Sequence, residues 1–157
     1  METTVAVSKY LTFMLGPEEY GLPVLKVREI IRALDVTRVP QVPDHVLGVV
    51  NLRGRVIPVI DLRRKLGLPY EPPTERTCIV VADVALASST VMMGVVVDSV
   101  SEVLTVSADE LEETPQLGRQ VTAEYVLGLA KVKGSVKILL DLDRVLGQDA
   151  PIELRAY

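Results

Sequence analysis

Val46-Leu47-Gly48-Val49-Val50-Asn51-Leu52-Arg53-Gly54-Arg55-Val56-Ile57-Pro58-Val59-Ile60-Asp61-Leu62-Arg63-Arg64-Lys65-Leu66-Gly67 returns, 80 residues later and without a gap, as Val126 to Gly147. Gly48/Gly128, Gly54/Gly134, Asp61/Asp141, Leu62/Leu142 and Gly67/Gly147 are identical, and most other pairs are both apolar. Within each copy two β-branched runs flank a Gly, as Val49 to Asn51 and Val56 to Ile60 flank Arg53-Gly54. Gly takes positive φ at little cost, which a tight hairpin needs. Lys133-Gly134 repeats that hairpin. Asp61 and Asp141 stand where helix N-caps belong, ahead of short D-L-x-x-x-L-G turns closed by Gly67 and Gly147. Two copies predict two similar subdomains and not a solenoid, which needs at least three.

A weaker echo precedes each copy. Gly21-Leu22-Pro23-Val24 leads to Val27-Arg28-Glu29-Ile30, and Gly94-Val95-Val96-Val97 leads to Val100-Ser101-Glu102-Val103. Ser8 to Leu15, the run to Val24, Thr77 to Val84, Val91 to Val97 and Val103 to Val106 read as further strands. Val27, Ile30, Ile31 and Leu34 recur at i, i+3, i+4, i+7, which predicts a short amphipathic helix. Gly67 to Thr74, with three prolines, is a loop between the halves. Many short strands with Gly/Pro turns predict an all-β barrel or sandwich, and the duplication makes it two small barrels with a few short helices. The first spans roughly 10–70 and the second 77–147, with exchange of strands between them open.

Composition narrows the function. With 48% hydrophobic residues in 157, there is ample core material for one domain or two small subdomains. A net charge of -4 argues against a nucleic-acid binder, and 4% aromatics leave few stacking platforms. Cys78 is the only cysteine, so no intrachain disulfide forms; in Thr77 to Val81 it reads as a small core hydrophobe. The N-terminus has no signal-peptide pattern, and no apolar run nears the ~20 residues that span a bilayer. A cytoplasmic protein is expected.

Catalytic constellations are missing. His45 is the only histidine and has no G-x-S-x-G partner motif, and one His with one Cys cannot make an ordinary zinc site. Neither a Walker A nor a G-x-G-x-x-G motif is present. Asp61 and Asp141, one per half, invite comparison with aspartic proteases, but Leu follows each Asp where those enzymes need a small flexible turn. The helix-cap reading accounts for every residue of the motif. No enzyme activity, cofactor or metal is expected. Arg53 and Arg55 flank the hairpin Gly, and either a solvated tip or a protein-contact arginine fits them.

The run Gly48-Val49-Val50-Asn51-Leu52-Arg53-Gly54 with Val56 to Leu62 resembles the signature of the chemotaxis coupling proteins, the CheW family. Glu18 to Val24 with Val27 to Ile30, Gly94 to Val100, and Glu124 to Gly128 are similar to the family's other segments in order, so the likeness covers about Lys9 to Gly147 as a single CheW-like domain over 1–157. The resemblance implies two five-stranded SH3-like barrels sharing a hydrophobic interface, no catalytic activity, and an adaptor that couples chemoreceptors to the histidine kinase CheA. It implies a cytoplasmic place at membrane-associated receptor arrays, reached through partners, and the stand-alone form without receiver or kinase core. On matching positions it implies a groove for the receptor's cytoplasmic tip lined by Val24, Val27, Glu29, Ile30, Arg53, Val100 and Val103. It implies a face for the kinase regulatory domain near Val36, Thr37 and Val39. The same valines also suit a plain core between barrels. A module binding a small hydrophobic ligand between the barrels is the alternative.

Overall fold

The computed structural model describes residues 7–32, 36–112 and 125–147. Alternating and β-branched runs become β1 (Val7–Leu15), β2 (Glu18–Pro23), β3 (Val27–Arg32), β4 (Val46–Leu52), β5 (Arg55–Asp61), β6 (Cys78–Ala85), β7 (Thr90–Val97), β8 (Ser99–Ser107), β9 (Leu111–Glu112), β10 (Val126–Val132) and β11 (Ser135–Leu140). The helices are α1 (Leu62–Lys65) and α2 (Leu142–Leu146), with single 3-10 turns at Val24–Lys26 and Ala108–Glu110. Asp61 and Asp141 are the helix N-caps the sequence predicts. Asp61 Oδ1 accepts the Arg63 N–H at 3.1 Å and Asp141 Oδ1 that of Arg144 at 3.3 Å. Gly67 follows α1 with φ of 83°, whereas Gly147 caps α2 with φ of -59°, so only the first helix ends in the left-handed manner.

The strands form two sheets, ordered β3-β6-β7-β5-β4 and β8-β1-β2-β11-β10-β9. The two halves of the chain exchange hairpins. β1–β2, from the first half, pairs with β8 and runs parallel to β11; β6–β7, from the second, pairs with β3 and runs parallel to β5. Each sheet closes on itself as a small SH3-like barrel. In the first, Arg53 at the end of β4 reaches Glu29 on the opposite edge strand β3; in the second, Lys133 at the end of β10 reaches Glu102 on β8. The two hairpin tips match, with Arg53-Gly54 at φ of 52° and 85° and Lys133-Gly134 at 57° and 80°, the two left-handed residues of a type I′ turn.

The largest core lies between the sheets. Leu11, Phe13 and Leu22 meet Val80, Val95 and Val97 there, all buried. Exchange explains this: each hairpin gives one face to its sheet's own small core and the other to the shared one. Val81 and Ile79 face the first barrel's interior, while Tyr10 and Leu139 face the second's. Apolar side chains pack this shared core, and nothing in it supports the alternative of an apolar ligand held between the barrels.

One sequence expectation is overturned. Val27, Ile30 and Ile31 lie on strand β3 and not on a helix, and Leu34 lies outside the described residues. The cause is a β-bulge. Val27 pairs with Ala82 and Glu29 with Val81, leaving Arg28 as the extra residue. Inserting one residue reverses the parity of a strand, so Val27 and Ile30, three apart, share a face. A bulged strand thereby imitates helical spacing. Cys78, expected in a core, packs against the shared core while half-buried, and its thiol donates to the Arg76 carbonyl at 3.3 Å.

Two latches join the subdomains. Arg63 of α1 makes paired hydrogen bonds to Asp98, Nε to Oδ1 at 2.9 Å and Nη2 to Oδ2 at 2.6 Å, and the Gly16 N–H donates to Asp98 Oδ2 at 2.7 Å. Asp143 of α2 stands 80 residues after Arg63; it accepts from Lys26 Nζ at 2.9 Å and from the Ala85 N–H at 2.8 Å. In each latch a carboxylate holds the backbone N–H at the tip of an exchanged hairpin, but the signs on the helix and on its partner are swapped.

The first latch sets a pH dependence. The Arg63 guanidinium holds the Asp98 carboxyl below its ordinary value, more strongly than burial raises it, and the Gly16 N–H adds to the lowering. A carboxyl lowered in the folded state contributes stability above its unfolded pKa of about 3.9 and loses it as pH falls through the folded value. Asp98→Asn should therefore cost about 1–2 kcal/mol at pH 7, allowing for solvent around a side chain about one-third exposed. The gap in melting temperature from wild type should close below about pH 4. A gap that persists unchanged at pH 3 would mean the ion pair is not its source.

Candidate interaction surfaces

The bulge in β3 has a counterpart in β8. Val100 pairs with Phe13 and Glu102 with Thr12, leaving Ser101 as the extra residue. Residues directly opposite on antiparallel strands share a face. Val27 and Ile30 lie opposite Ala82 and Val80, and Val100 and Val103 lie opposite Phe13 and Leu11. Those four partners all belong to the shared core. Each bulged strand thus presents two apolar side chains along the margin of that core. Val27 and Val100 are half-buried and pack on it, while Ile30 and Val103 remain 42% and 52% exposed. The valine pairs are neither plain core nor plain surface; each has one member of each kind.

Val24 is half-buried in the 3-10 turn that enters β3. Its neighbour Leu25 is 91% exposed, the most exposed large apolar side chain described. Sequence reasoning missed it, because the spacing of Pro23-Val24-Leu25-Lys26 gives no sign of which side chain the turn ejects. Glu29 and Arg53 are joined by two hydrogen bonds of 2.7 Å, Arg53 Nη1 to Glu29 Oε1 and Nη2 to Oε2. This fork-to-fork geometry fixes an otherwise exposed guanidinium. The Arg53 hydrogen bond lowers the Glu29 carboxyl below its usual value against slight desolvation, and the two charges reinforce it. Arg53 is therefore pinned across the closing edge of the barrel. Asn51 Oδ1 accepts the Gly54 N–H at 2.8 Å and ties down the same turn.

Val36, Thr37 and Val39 form a separate group along β4, the other edge of the first sheet. Thr37 and Val49 exchange two backbone hydrogen bonds, 2.8 and 2.9 Å. Val36 packs on the first barrel's core, Val39 is half-buried and Thr37 is exposed. Gly48 makes this approach possible, since a Cβ there would lie 2.0 Å from the Thr37 carbonyl oxygen.

Both aspartates of the repeat are engaged in capping. Asp61 is buried, and burial pushes its carboxyl up despite bonds from the Arg64 and Arg63 backbone. The His45 carbonyl accepts the Asp61 N–H at 2.7 Å. Among the described residues no three His, Cys, Asp or Glu are grouped to hold a metal ion, and no helix is long and apolar enough to cross a membrane.

Comparison with known proteins supplies the context for these surfaces. A protein-family model described as "CheW-like domain" matches residues 9–150. The chain is 37% identical over 144 residues to a chemotaxis protein CheW of Klebsiella aerogenes, covering 90% of this chain and 82% of that protein. It is 33% identical over 142 residues to a chemotaxis protein CheW of Bacillus subtilis, covering 90% and 88%. The crystal structure of the scaffolding protein TtCheW from Thermoanaerobacter tengcongensis superposes with a TM-score of 0.78 at 28% identity, covering 88% of this chain and 87% of that one.

Proposed function

The chain belongs to the CheW family of chemotaxis adaptors, and we propose that it works by holding a chemoreceptor's cytoplasmic tip and the regulatory domain of the histidine kinase CheA on two separate surfaces. The receptor tip docks along the margin of the shared core, on Val24, Val27, Ile30, Val100 and Val103, with Glu29 and Arg53 at its rim. The observation that carries this is the pair of matching bulges, which turn two apolar residues of β3 and two of β8 toward the same margin. An amphipathic helix laid in an apolar groove is anchored by such residues at i, i+3 and i+4. The kinase domain meets the Val36–Val39 segment on β4. Both partners engage through side chains and backbone already in place, so the protein acts without chemistry of its own, in the cytoplasm at receptor arrays.

Heating the protein with each partner separately tests this. A partner that binds the folded state alone raises the melting temperature by mass action, by about 2.7 kcal/mol of stability at a hundredfold excess over Kd. Both the receptor tip and the kinase regulatory domain should do so, and additively. Competition between them would place both on one surface and overturn the arrangement.

The duplicated aspartates give the matching negative test. Asp61→Asn and Asp141→Asn should each cost about 1 kcal/mol or less in stability, as weakened helix caps do. Partner binding should stay within a few-fold. Any hydrolase activity abolished by either change would replace the adaptor reading with an enzymatic one.

A further inference from the structure

The face of β3 that carries Val27 and Ile30 ends on Arg32, which lies opposite Cys78 as Ile30 lies opposite Val80. Around Arg32 a cleft opens between the sheets, lined also by Met14, Arg76, Cys78 and Val100. Met14, Cys78 and Val100 give it apolar lining beside Ser99 and Ser101, two arginines line it, and Glu75 is the one acidic lining residue. Neither the Arg32 nor the Arg76 side chain has an ion-pair partner among the described residues; Arg28, Arg53, Arg63, Arg64 and Arg144 are paired, and Arg38 and Arg55, like Arg32 and Arg76, are not, but they lie outside this cleft. Two unneutralised cations beside an apolar strip, in a chain of net charge -4, mark a place where an anionic group is favoured.

Resting on the receptor-groove reading, we propose that this cleft is the acid-accepting end of the groove, and that the docked segment is a helix with a carboxylate side chain one turn beyond the apolar residue covering Ile30. The spacing follows from geometry. Ile30 and Arg32 are two strand residues apart, about 6.6 Å at ~3.3 Å each. A helical turn advances about 5.4 Å, so the group three or four residues on reaches Arg32 and Arg76. The apolar strip supplies contact area; the arginines set which way round and in which register the helix lies, since guanidinium recognises carboxylate in a directed, two-pronged manner.

The probe is a soluble chemoreceptor cytoplasmic-tip fragment, titrated against wild type, Arg32→Glu, Arg76→Glu and the control Lys131→Glu, a change on the second barrel outside the cleft. Each cleft variant should bind about tenfold more weakly, ~1.4 kcal/mol. Each should also lose part of the salt dependence of wild-type binding, while Lys131→Glu should match wild type. Should Arg32→Glu melt early, Arg32→Gln serves in its place with a smaller loss in the same direction. If wild type binds the fragment and both cleft variants bind equally well at low and high salt, the acid-accepting role is overturned and the groove reading stands. If wild type does not bind the fragment at all, the groove reading fails and takes this role with it.

Discussion

Gly48→Ala should destabilise the protein severely, while the same change at its repeat partner, Gly128→Ala, should be mild. Both glycines follow the extra residue of a bulge, Leu47 in β4 and Leu127 in β10. Only Gly48 has a positive φ, 150°, and only there would a Cβ strike backbone, at 2.0 Å from the Thr37 carbonyl oxygen and 2.8 Å from its carbon. At Gly128 the nearest atom is the Glu112 carbonyl oxygen at 3.3 Å, which a small shift relieves. Alanine at 48 must push the Val36–Val39 segment off β4 and break both Thr37–Val49 hydrogen bonds. Strained backbone and two lost hydrogen bonds together amount to about 3 kcal/mol or more. In a chain of this size that lowers the melting temperature by roughly 10 °C, against a few degrees for Gly128→Ala. Kinase-domain binding should weaken with it, since the displaced segment is the proposed kinase face. Equal, small drops for both variants would mean that the Thr37–Val49 bridge is not held as described.

Arg53→Ala should weaken assembly with receptor and kinase about thirtyfold, as loss of a hot-spot arginine does, and move the melting temperature little. The guanidinium is largely exposed and its partner Glu29 sits at the barrel rim. Exposed ion pairs contribute little to folding even where, as here, the geometry is two-pronged. A cation held rigidly at the edge of a groove loses less freedom on meeting a partner than a waving one. The control is Lys133→Ala, which removes the equivalent but looser pair to Glu102 at 3.8 Å; it should bind nearly as wild type. Titration of both variants decides it. A large fall in melting temperature for Arg53→Ala would make the Arg53–Glu29 pair a structural clasp of the barrel.

What the sequence discloses and what it hides have physical reasons. The two hairpins, the positive-φ Gly at each tip and both Asp caps are local, set by residues within a few positions, and were legible from the 80-residue repeat alone. Exchange of hairpins was not, because β1–β2 satisfies its own hydrogen bonds wherever it docks, and only tertiary packing selects its neighbour. The bulge at Arg28 turned a strand into an apparent helix by changing parity, an effect that periodicity cannot separate from a 3.6-residue repeat. The latches were hidden for a different reason. Arg63 aligns with Asp143, a mismatch in the repeat, yet each residue does the same work because its partner, Asp98 or Lys26, is swapped as well. Of the candidate surfaces, Val27, Ile30, Val100 and Val103 could be named from the resemblance. Their half-exposed state, and the exposure of Leu25, follow from bulge and turn geometry that residue spacing does not encode.

Bridging is the central claim, and one pull-down tests it directly. A CheA-type regulatory domain is immobilised and a chemoreceptor cytoplasmic-tip fragment is added with and without this protein. The receptor fragment should be retained strongly only when the protein is present, and retention should fall with Arg53→Ala but not with Lys133→Ala. Receptor retention that is the same with and without the protein, or that Gly48→Ala leaves untouched although it displaces the segment beside Thr37, would contradict the two-surface account.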